Sequence, residues 1–407
     1  MFIDFTIGNF KSIRDVQTFS MFATKVREHK KHTFKTRDGV GLLKSAVIYG
    51  ANGSGKSNLL DAIRIMTQFI HNSTDVKLGE QIRYYKPFKL DKQYLDKPTV
   101  CELEFIASDT IRYLYKFSFN ASEILSESLS FFPKKKEAKF FEREKGKAMN
   151  FGEAMKGAKK SIESQLLPNH LFLSKAANSN HKQLGVVYQS LHKFLIVDTS
   201  QSHRLLKRTV QSSLTSKNEA LQEKMNVLLN YADTGVQKIE LRRTDSEPLS
   251  ASPSYAPFTV HQLFEDGEQV GETAFSLSEE SKGTQQMYGL GGVLFQALEE
   301  GRTVFVDELD ISFHSLMTEY LIELFHNPEV NKHNAQLIFS THDTSMLKSE
   351  LFRRDQIWFV EKDHFGGSNI YALSEFEFDK VRASIPFDKW YLSGRFGALP
   401  LMKDFAG

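Results

Sequence analysis

The residues best suited to chemistry are eight in a row, Gly50-Ala51-Asn52-Gly53-Ser54-Gly55-Lys56-Ser57. They fit the spacing G-x-x-x-x-G-K-[ST], in which glycines let backbone N–H groups wrap a phosphate and the following helix aims its positive end at it. Lys56 would then reach the β- and γ-phosphates of a nucleoside triphosphate and Ser57 would hold Mg²⁺. Asn52, Gly53, Ser54, Gly55 and Asn58 would line the same bed. A second set of capable residues lies far along the chain. Asp307 and Glu308 close the apolar run Val304-Phe305-Val306. One carboxylate is placed to reach Mg²⁺ and the other to polarise an attacking water. His342 follows Leu337-Ile338-Phe339-Ser340 and could hydrogen-bond a γ-phosphate, although a His-Asp pair such as His342-Asp343 is more often structural.

These groups need strands that deliver them and a helix that receives the phosphates. Ser45-Ala46-Val47-Ile48-Tyr49 reads as a short buried strand before the glycine-rich loop. Leu59, Ile63, Met66 and Ile70 recur at three- and four-residue spacing, one face of a helix after it. A glycine-rich turn alone could match by chance; strand and helix on either side argue for a nucleotide site. A further anion site is predicted where Ser281-Lys282-Gly283-Thr284-Gln285 opens an apolar helix: a hydroxyl, free N–H groups, a helix dipole and the charge of Lys282. One nucleotide does not need two helix-end sites in one subunit. The second therefore points to a neighbour, in a head-to-tail pair of protomers that sandwiches two nucleotides.

At 407 residues the chain has room for two or three structural units. Its charged and apolar fractions, 25% and 41%, are those of a soluble globular protein. A net charge of +2 gives no global argument for nucleic acid. The lone Cys101 excludes an internal disulfide, and the thirteen histidines show no zinc-ligand spacing. No signal peptide or membrane-length apolar run is present, so a cytoplasmic protein without membrane contact is expected.

The chain opens with alternation at Ile3, Phe5 and Ile7, a half-buried strand, then turns through Gly8-Asn9-Phe10-Lys11-Ser12. Residues 99–132 alternate in three runs, an antiparallel meander rather than a crossover unit. From 133 to 160 ten lysines and arginines face four glutamates, with Phe140, Phe141 and Phe151 interleaved. That segment could track a nucleic-acid backbone and stack on bases; a solvated hairpin or a protein-docking arm is the alternative. Residues 161–231 carry helical spacing, with Val186, Leu191, Phe194 and Leu195 as one apolar set and Leu221, Met225, Leu228 and Leu229 as another. No heptad is sustained, which excludes a long coiled-coil arm. Residues 244–257, rich in serine and proline, read as a loop or linker.

Taken together, residues 50–57, Ser281-Lys282-Gly283-Thr284-Gln285, Val306-Asp307-Glu308-Leu309-Asp310 and Ser340-Thr341-His342-Asp343 resemble the ABC-type ATPases of the SMC, RecF and OLD group. More narrowly they are similar to the stand-alone AAA-type ATPases encoded beside nucleases in bacterial antiphage and abortive-infection loci, such as the Septu and PARIS kinds. Asn9-Phe10-Lys11-Ser12 and the segment 354–362 share the likeness, which covers about 1–120 and 255–407. The resemblance implies an α/β fold: an ABC-ATPase head with a P-loop core sheet, an antiparallel β-subdomain and an inserted, mainly helical lobe. It implies three regions, 1–120 as the first ATPase lobe, 121–254 as the insertion and 255–407 as the second lobe. It also implies roles. Lys11 and Ser12 lie near the nucleotide, and Ser281, Gly283 and Gln285 belong to a signature motif acting on the partner's γ-phosphate. Asp307 is the metal carboxylate, Glu308 is catalytic, Asp310 lies in a loop crossing the dimer interface, and His342 is the switch histidine. Lys282 departs from the family pattern, where glycine is common, and no clear Q-loop glutamine follows the first helix, Gln81 and Gln93 being candidates.

The leading expectation is an ATP- and Mg²⁺-dependent switch in an antiphage or abortive-infection complex, joined by ATP into at least a dimer and controlling a separately encoded nuclease or toxin. Two alternatives stand beside it: a nucleotide-stabilised scaffold with negligible turnover, and a RecF-like DNA-repair ATPase that uses residues 134–160.

Overall fold

Six strands form the sheet on which both halves of the predicted site sit. In the computed structural model, which describes residues 1–26, 28–133, 136–199, 201–214, 219–232, 234–244, 255–311, 313–376 and 386–399, their order is Phe194–Asp198, Thr303–Asp307, Gln336–Ser340, Ser45–Tyr49, Ile357–Lys362, Ser368–Ala372. The first five run parallel and the last is antiparallel. Parallel neighbours must be buried on both faces, and these strands read accordingly as continuous apolar runs. Alternation then divides each strand between two cores. Ala46, Ile48, Phe305, Ile338 and Val360 enter one, while Val47, Tyr49, Val304, Val306, Leu337 and Phe339 enter the other.

The helix Lys56–Asn72 packs on the first face. Leu59, Ile63, Met66 and Ile70 are buried as their spacing predicts, and so are Leu60, Ala62, Ile65 and Phe69. The helix is therefore apolar beyond one stripe, because a second sheet covers its far side. That sheet has seven antiparallel strands, ordered Asn150–Phe151, Ala138–Glu144, Ile124–Phe132, Arg112–Phe119, Thr99–Ile106, Phe2–Gly8, Gln17–Ser20. It contains the expected meander, and the opening strand of the chain lies between Thr99–Ile106 and the edge strand Gln17–Ser20. Phe2 is tied to the core sheet as well, donating its N–H to the Gln336 side chain at 2.8 Å and packing edge-on against Phe305 at 5.3 Å.

The basic segment is absorbed into this sheet. Lys134 and Lys135 lie outside the described residues; beyond them Phe140 and Phe141 are buried, and Phe151 packs under Lys159 and Lys160. Lys139, Lys145, Lys147 and Lys160 each meet a glutamate at 2.6–2.9 Å. The phenylalanines that could have stacked on bases thus belong to the hydrophobic core. Strict alternation would bury only one of the neighbours Phe140 and Phe141; the register slips here, Leu129 facing Phe141 and Ser130 facing Lys139, and this bulge lets both rings turn inward.

A helical lobe covers the second face. It is built from Ser202–Ser213 and Glu219–Tyr231 against the helix Lys282–Glu300. The contact depends on glycine: a Cβ on Gly292 would lie 2.3 Å from Thr209 Cγ2, and one on Gly291 would lie 2.5 Å from Leu228 Cδ2. Thr209 Oγ1 donates to the Gly289 carbonyl at 2.9 Å across the same contact. Ahead of this helix stands an antiparallel ribbon, Lys238–Arg243, Tyr255–Glu265 and Glu268–Ser276. Residues 255–257 of the expected linker belong to it, and residues 245–254 lie outside the described ones.

Two placements differ from the sequence expectation. The seven-stranded sheet runs across the boundary drawn at residue 121. Phe194 and Leu195, read as part of a helical set, form a strand at the edge of the core sheet. A four-residue apolar run fits either period, and only the open edge beside Thr303–Asp307 decides between them. Among the described residues no helix is long and apolar enough to cross a membrane.

Candidate nucleotide site

The loop leaves its strand at Gly50, with φ +154°, and enters the helix through Gly55, with φ +118°. Gly55 has to be glycine for two reasons. Its φ suits no L side chain, and a Cβ there would lie 2.2 Å from Ser368 Oγ and 2.9 Å from Ser12 Oγ. Those hydroxyls brace the loop from behind. Ser368 Oγ lies 2.6 Å from the Ser54 carbonyl and 2.8 Å from Ser12 Oγ, and Asn58 Nδ2 donates to Ser12 Oγ at 2.7 Å. Ser12 is thereby a support beneath the loop.

The loop walls a cavity of about 560 Å³ lined by residues 52–58 together with Glu308 and His342. Three strand ends thus meet on one opening, although 250 residues or more separate the loop from the other two. Lys56, almost wholly buried, donates to the Gly50 and Ala51 carbonyls at 2.7 and 3.2 Å and lies 3.5 Å from His342 Nδ1. Burial pushes its ammonium pKa down, and the nearby carboxylates Asp307, Glu308 and Asp310 oppose that. His342 Nε2 lies 3.6 Å from Glu308 Oε1, and both side chains are substantially exposed.

Ser340 organises the acidic end. Its hydroxyl donates to Asp307 Oδ1 at 2.6 Å and accepts from the Glu308 N–H at 2.8 Å. Glu308 itself sits at φ +54°, a left-handed conformation that turns the chain sharply after the strand. Asp343 does not join the site. It caps the turn Thr344–Met346 through Ser345 N–H at 2.8 Å and accepts from Ser315 Oγ at 2.5 Å, the structural use expected of a residue following a strand-end histidine.

The site has the groups a triphosphate and Mg²⁺ require. Ser54 Oγ is buried without a partner, and a Cβ built on Gly53 would meet nothing within 4 Å, so the cradle has a spare polar atom and room. The N–H groups of the first helical turn have no intrahelical acceptor. For the metal, Ser57 and Asp307 line one neighbouring cavity of about 160 Å³, and Asp307 keeps Oδ2 free of hydrogen bonds among the described residues. Mg²⁺ commonly takes one or two protein oxygens and completes its shell with water and phosphate, so this donor set fits.

The remaining predicted residues lie apart from the loop cavity. Lys11 lines the neighbouring cavity and is held by Asp61, which also pairs with Arg64. Burial would raise the Asp61 carboxyl; the two cations outweigh it and leave its pKa lowered. Asp310 is near enough for its charge to act on Lys56, and its Oδ1 is buried without a partner. Ser312, in the expected interface loop, lies outside the described residues. Ser281 caps the helix Lys282–Glu300, accepting from Thr284 N–H at 3.1 Å, as its position predicts. Gln285 reaches back to the Glu280 carbonyl at 2.9 Å. Ser281 is exposed, and neither it, Gly283 nor Gln285 lines the loop cavity of its own chain.

Three residues absent from the sequence prediction belong to the site's frame: Ser340, Ser368 and Asp198. Asp198 ends the edge strand in register with Asp307, and Thr199 Oγ1 donates to the Asp307 carbonyl at 2.9 Å. Gln81 and Gln93, by contrast, are exposed and line neither cavity, whereas Asp198 lines the one beside Ser57. A signal for it existed. Phe194-Leu195-Ile196-Val197-Asp198 repeats the apolar-then-acid pattern of Thr303–Asp307.

Core sheet, loop, strand-end carboxylates and histidine define a phosphate-loop nucleotide-binding head with an antiparallel sheet and a helical lobe, the fold class expected. The chain belongs to the AAA family described as "AAA domain, putative AbiEii toxin, Type IV TA system", whose profile matches residues 45–348. Among solved structures it is similar to an SMC head bound to the C-terminal winged-helix domain of ScpA, at 13% identity and TM-score 0.49, covering 91% of this chain and 97% of that one. It is also similar to the SMC head domain from Thermotoga maritima, at 16% identity and TM-score 0.40, covering 93% and 99%. A third is the recombination mediator RecF with ATP, at 13% identity and TM-score 0.38, covering 91% and 97%. No protein of curated function matches the sequence.

Proposed function

We propose that this protein is an ATP-hydrolysing switch whose catalytic unit is an interface between two copies, and that it controls a toxic effector in a defence or abortive-infection setting. One observation carries the interface: the loop cavity holds Lys56, Glu308 and His342 of its own chain, while the capped and exposed helix start at Ser281 lies outside it. An open nucleotide site and a separate anion-binding helix end on one subunit are complementary halves. ATP is the substrate. The loop N–H groups and Lys56 bind its phosphates, and Mg²⁺, held by Ser57 and Asp307, would offset their charge. Glu308 takes the proton of the attacking water on its carboxylate, and His342 donates to the γ-phosphate. Ser281, Gly283 and Gln285 of a second copy complete the enclosure, with Asp310 near the crossing. The family's printed description, with its toxin and toxin–antitoxin terms, supports the effector part of the reading.

The test is chromatographic mass with ATP and Mg²⁺. Glu308→Gln, which binds but does not hydrolyse, should collect as an ATP-bound dimer; if it stays as monomeric as Lys56→Ala, the sandwich fails. Lys282, standing where glycine is common, favours a scaffold with negligible turnover as the second reading. Steady phosphate release that Glu308→Gln abolishes would exclude it. The DNA-repair reading through 134–160 loses base stacking as an argument, since Phe140 and Phe141 are buried and Phe151 packs under lysines, and would rest on the basic charge alone.

A further inference from the structure

A second concavity, of about 460 Å³, runs between the helix Lys56–Asn72, the edge strand Phe194–Asp198 and the helix Ser202–Ser213. It shares no residue with the loop cavity, and Arg64, Ile196, Val197 and Asp198 form the wall between it and the smaller cavity of Ser57 and Asp307. Four arginines line it, Arg64, Arg204, Arg208 and Arg302, against the single carboxylate of Asp198. Arg64 is satisfied by Asp61, and Arg302 by Glu300 at 2.5 Å. Arg204 and Arg208 make no side-chain hydrogen bond or ion pair among the described residues. The floor between them is apolar, formed by Leu191, Phe194, Leu195 and Leu205.

This arrangement costs the fold something. Burial lowers the pKa of the Arg208 guanidinium, the neighbouring charge of Arg302 lowers it further, and Glu300, the partner of Arg302, opposes this only in part. Like charges gathered in a half-buried hollow with too few acids are unfavourable until an anion fills it. His71 beside them adds no charge at neutral pH, since burial and His192 hold its pKa at about 4. The positive potential is therefore that of the arginines, which remain charged at any working pH.

We propose that this hollow is a second ligand site, for a phosphate-bearing small molecule of about nucleotide size, with Arg204 and Arg208 as its phosphate ligands. Paired guanidinium forks match phosphate oxygens in geometry as well as charge. The volume falls within the roughly 300–1,000 Å³ of small-molecule sites, and the apolar floor suits a ring.

The experiment is titration calorimetry on the full chain carrying Lys56→Ala, which disables the loop site, with AMP, pyrophosphate and adenosine as probes. AMP and pyrophosphate should bind one to one, and adenosine should not. Arg204→Gln with Arg208→Gln should weaken both by at least tenfold, in this chain and in the one with Lys56 intact. Arg208→Gln alone should raise the melting midpoint of the ligand-free protein, whereas a merely structural arginine would lower it. The proposal is overturned if neither phosphate probe binds up to about 1 mM, or if binding survives the double substitution. It is equally overturned if affinity for single-stranded oligonucleotides climbs with length, or if polyglutamate competes as well as pyrophosphate does.

Discussion

Ser340→Ala is the most revealing single change at the acidic end of the site. The serine is wholly buried and its hydroxyl serves two masters at once, donating to Asp307 Oδ1 at 2.6 Å and accepting from Glu308 N–H at 2.8 Å. Alanine removes one oxygen and leaves the volume nearly unchanged, so packing stays out of the result. The bond to the carboxylate is charge-assisted, worth about 1.5–3 kcal/mol, and the orphaned N–H adds about 1 kcal/mol. Water can reach Asp307, which is only partly buried, and recovers some of this. A net loss of about 2–4 kcal/mol is expected, read as a lowered urea midpoint. The catalytic effect should be larger in proportion. Freed from the clamp, Asp307 and the left-handed Glu308 lose the alignment that faces them to one cavity, and a displacement of about 1 Å costs on the order of a hundredfold in rate. Phosphate release under saturating ATP measures this. Glu308→Gln is the contrast: it keeps both hydrogen bonds, so stability should hold within about 0.5 kcal/mol while turnover is lost. If Ser340→Ala melts and hydrolyses as the parent does, the clamp is not what orients the carboxylates.

Gly55→Ala should fold yet lose nucleotide. A Cβ at φ +118° and 2.2 Å from Ser368 Oγ displaces the loop, with strain of roughly 1–3 kcal/mol and at least a tenfold fall in ATP affinity by calorimetry. Gly292→Ala should do the reverse: overpacking against Thr209 lowers stability by about 1–3 kcal/mol in thermal melts while ATP affinity stays within a factor of about two. Acid should destabilise the protein through its buried histidines, against the opposite effect of Asp4, whose pKa burial raises to about 6. Burial holds the His32 pKa at about 4 and pushes that of His326, stacked on it at 3.6 Å, well below the usual imidazole value. A histidine held neutral by the fold contributes stability that is full above its unfolded value of 6.5 and drains away as pH falls towards 4, because only the unfolded chain takes up the proton. His32 alone accounts for about 3 kcal/mol over that window, and the pair does not add simply because the rings touch. Urea midpoints that stay flat between pH 7 and 4.5 would contradict this.

Much of the site could be read without coordinates because its chemistry is local. A glycine-rich turn between a strand and a helix needs only nearest neighbours, and residues 50–58 took the form their pattern requires. Strand ends bearing Asp307, Glu308 and His342 were legible for the same reason: an apolar run stopping at a polar residue marks where a parallel strand surfaces. Ser340, Ser368 and Asp198 were not legible, since each acts on a residue that neighbours it only across the sheet or beneath the loop. Phe140 and Phe141 show the converse. A basic, aromatic stretch suggested a nucleic-acid surface until strand pairing turned those rings inward.

The sequence by itself determined that a glycine-rich loop joins a strand to a helix and that a later apolar strand ends in Asp307 and Glu308, because those depend on backbone freedom and side-chain type over a few positions. Only the tertiary structure decided that Lys56, Glu308 and His342 face one cavity while Ser281 stands outside it. It also gathered Arg204 and Arg208 over an apolar floor beside the phosphate-loop helix. The reason is geometric: strand order and helix docking bring together residues hundreds of positions apart, and no local pattern records which edge of a sheet a distant strand will occupy.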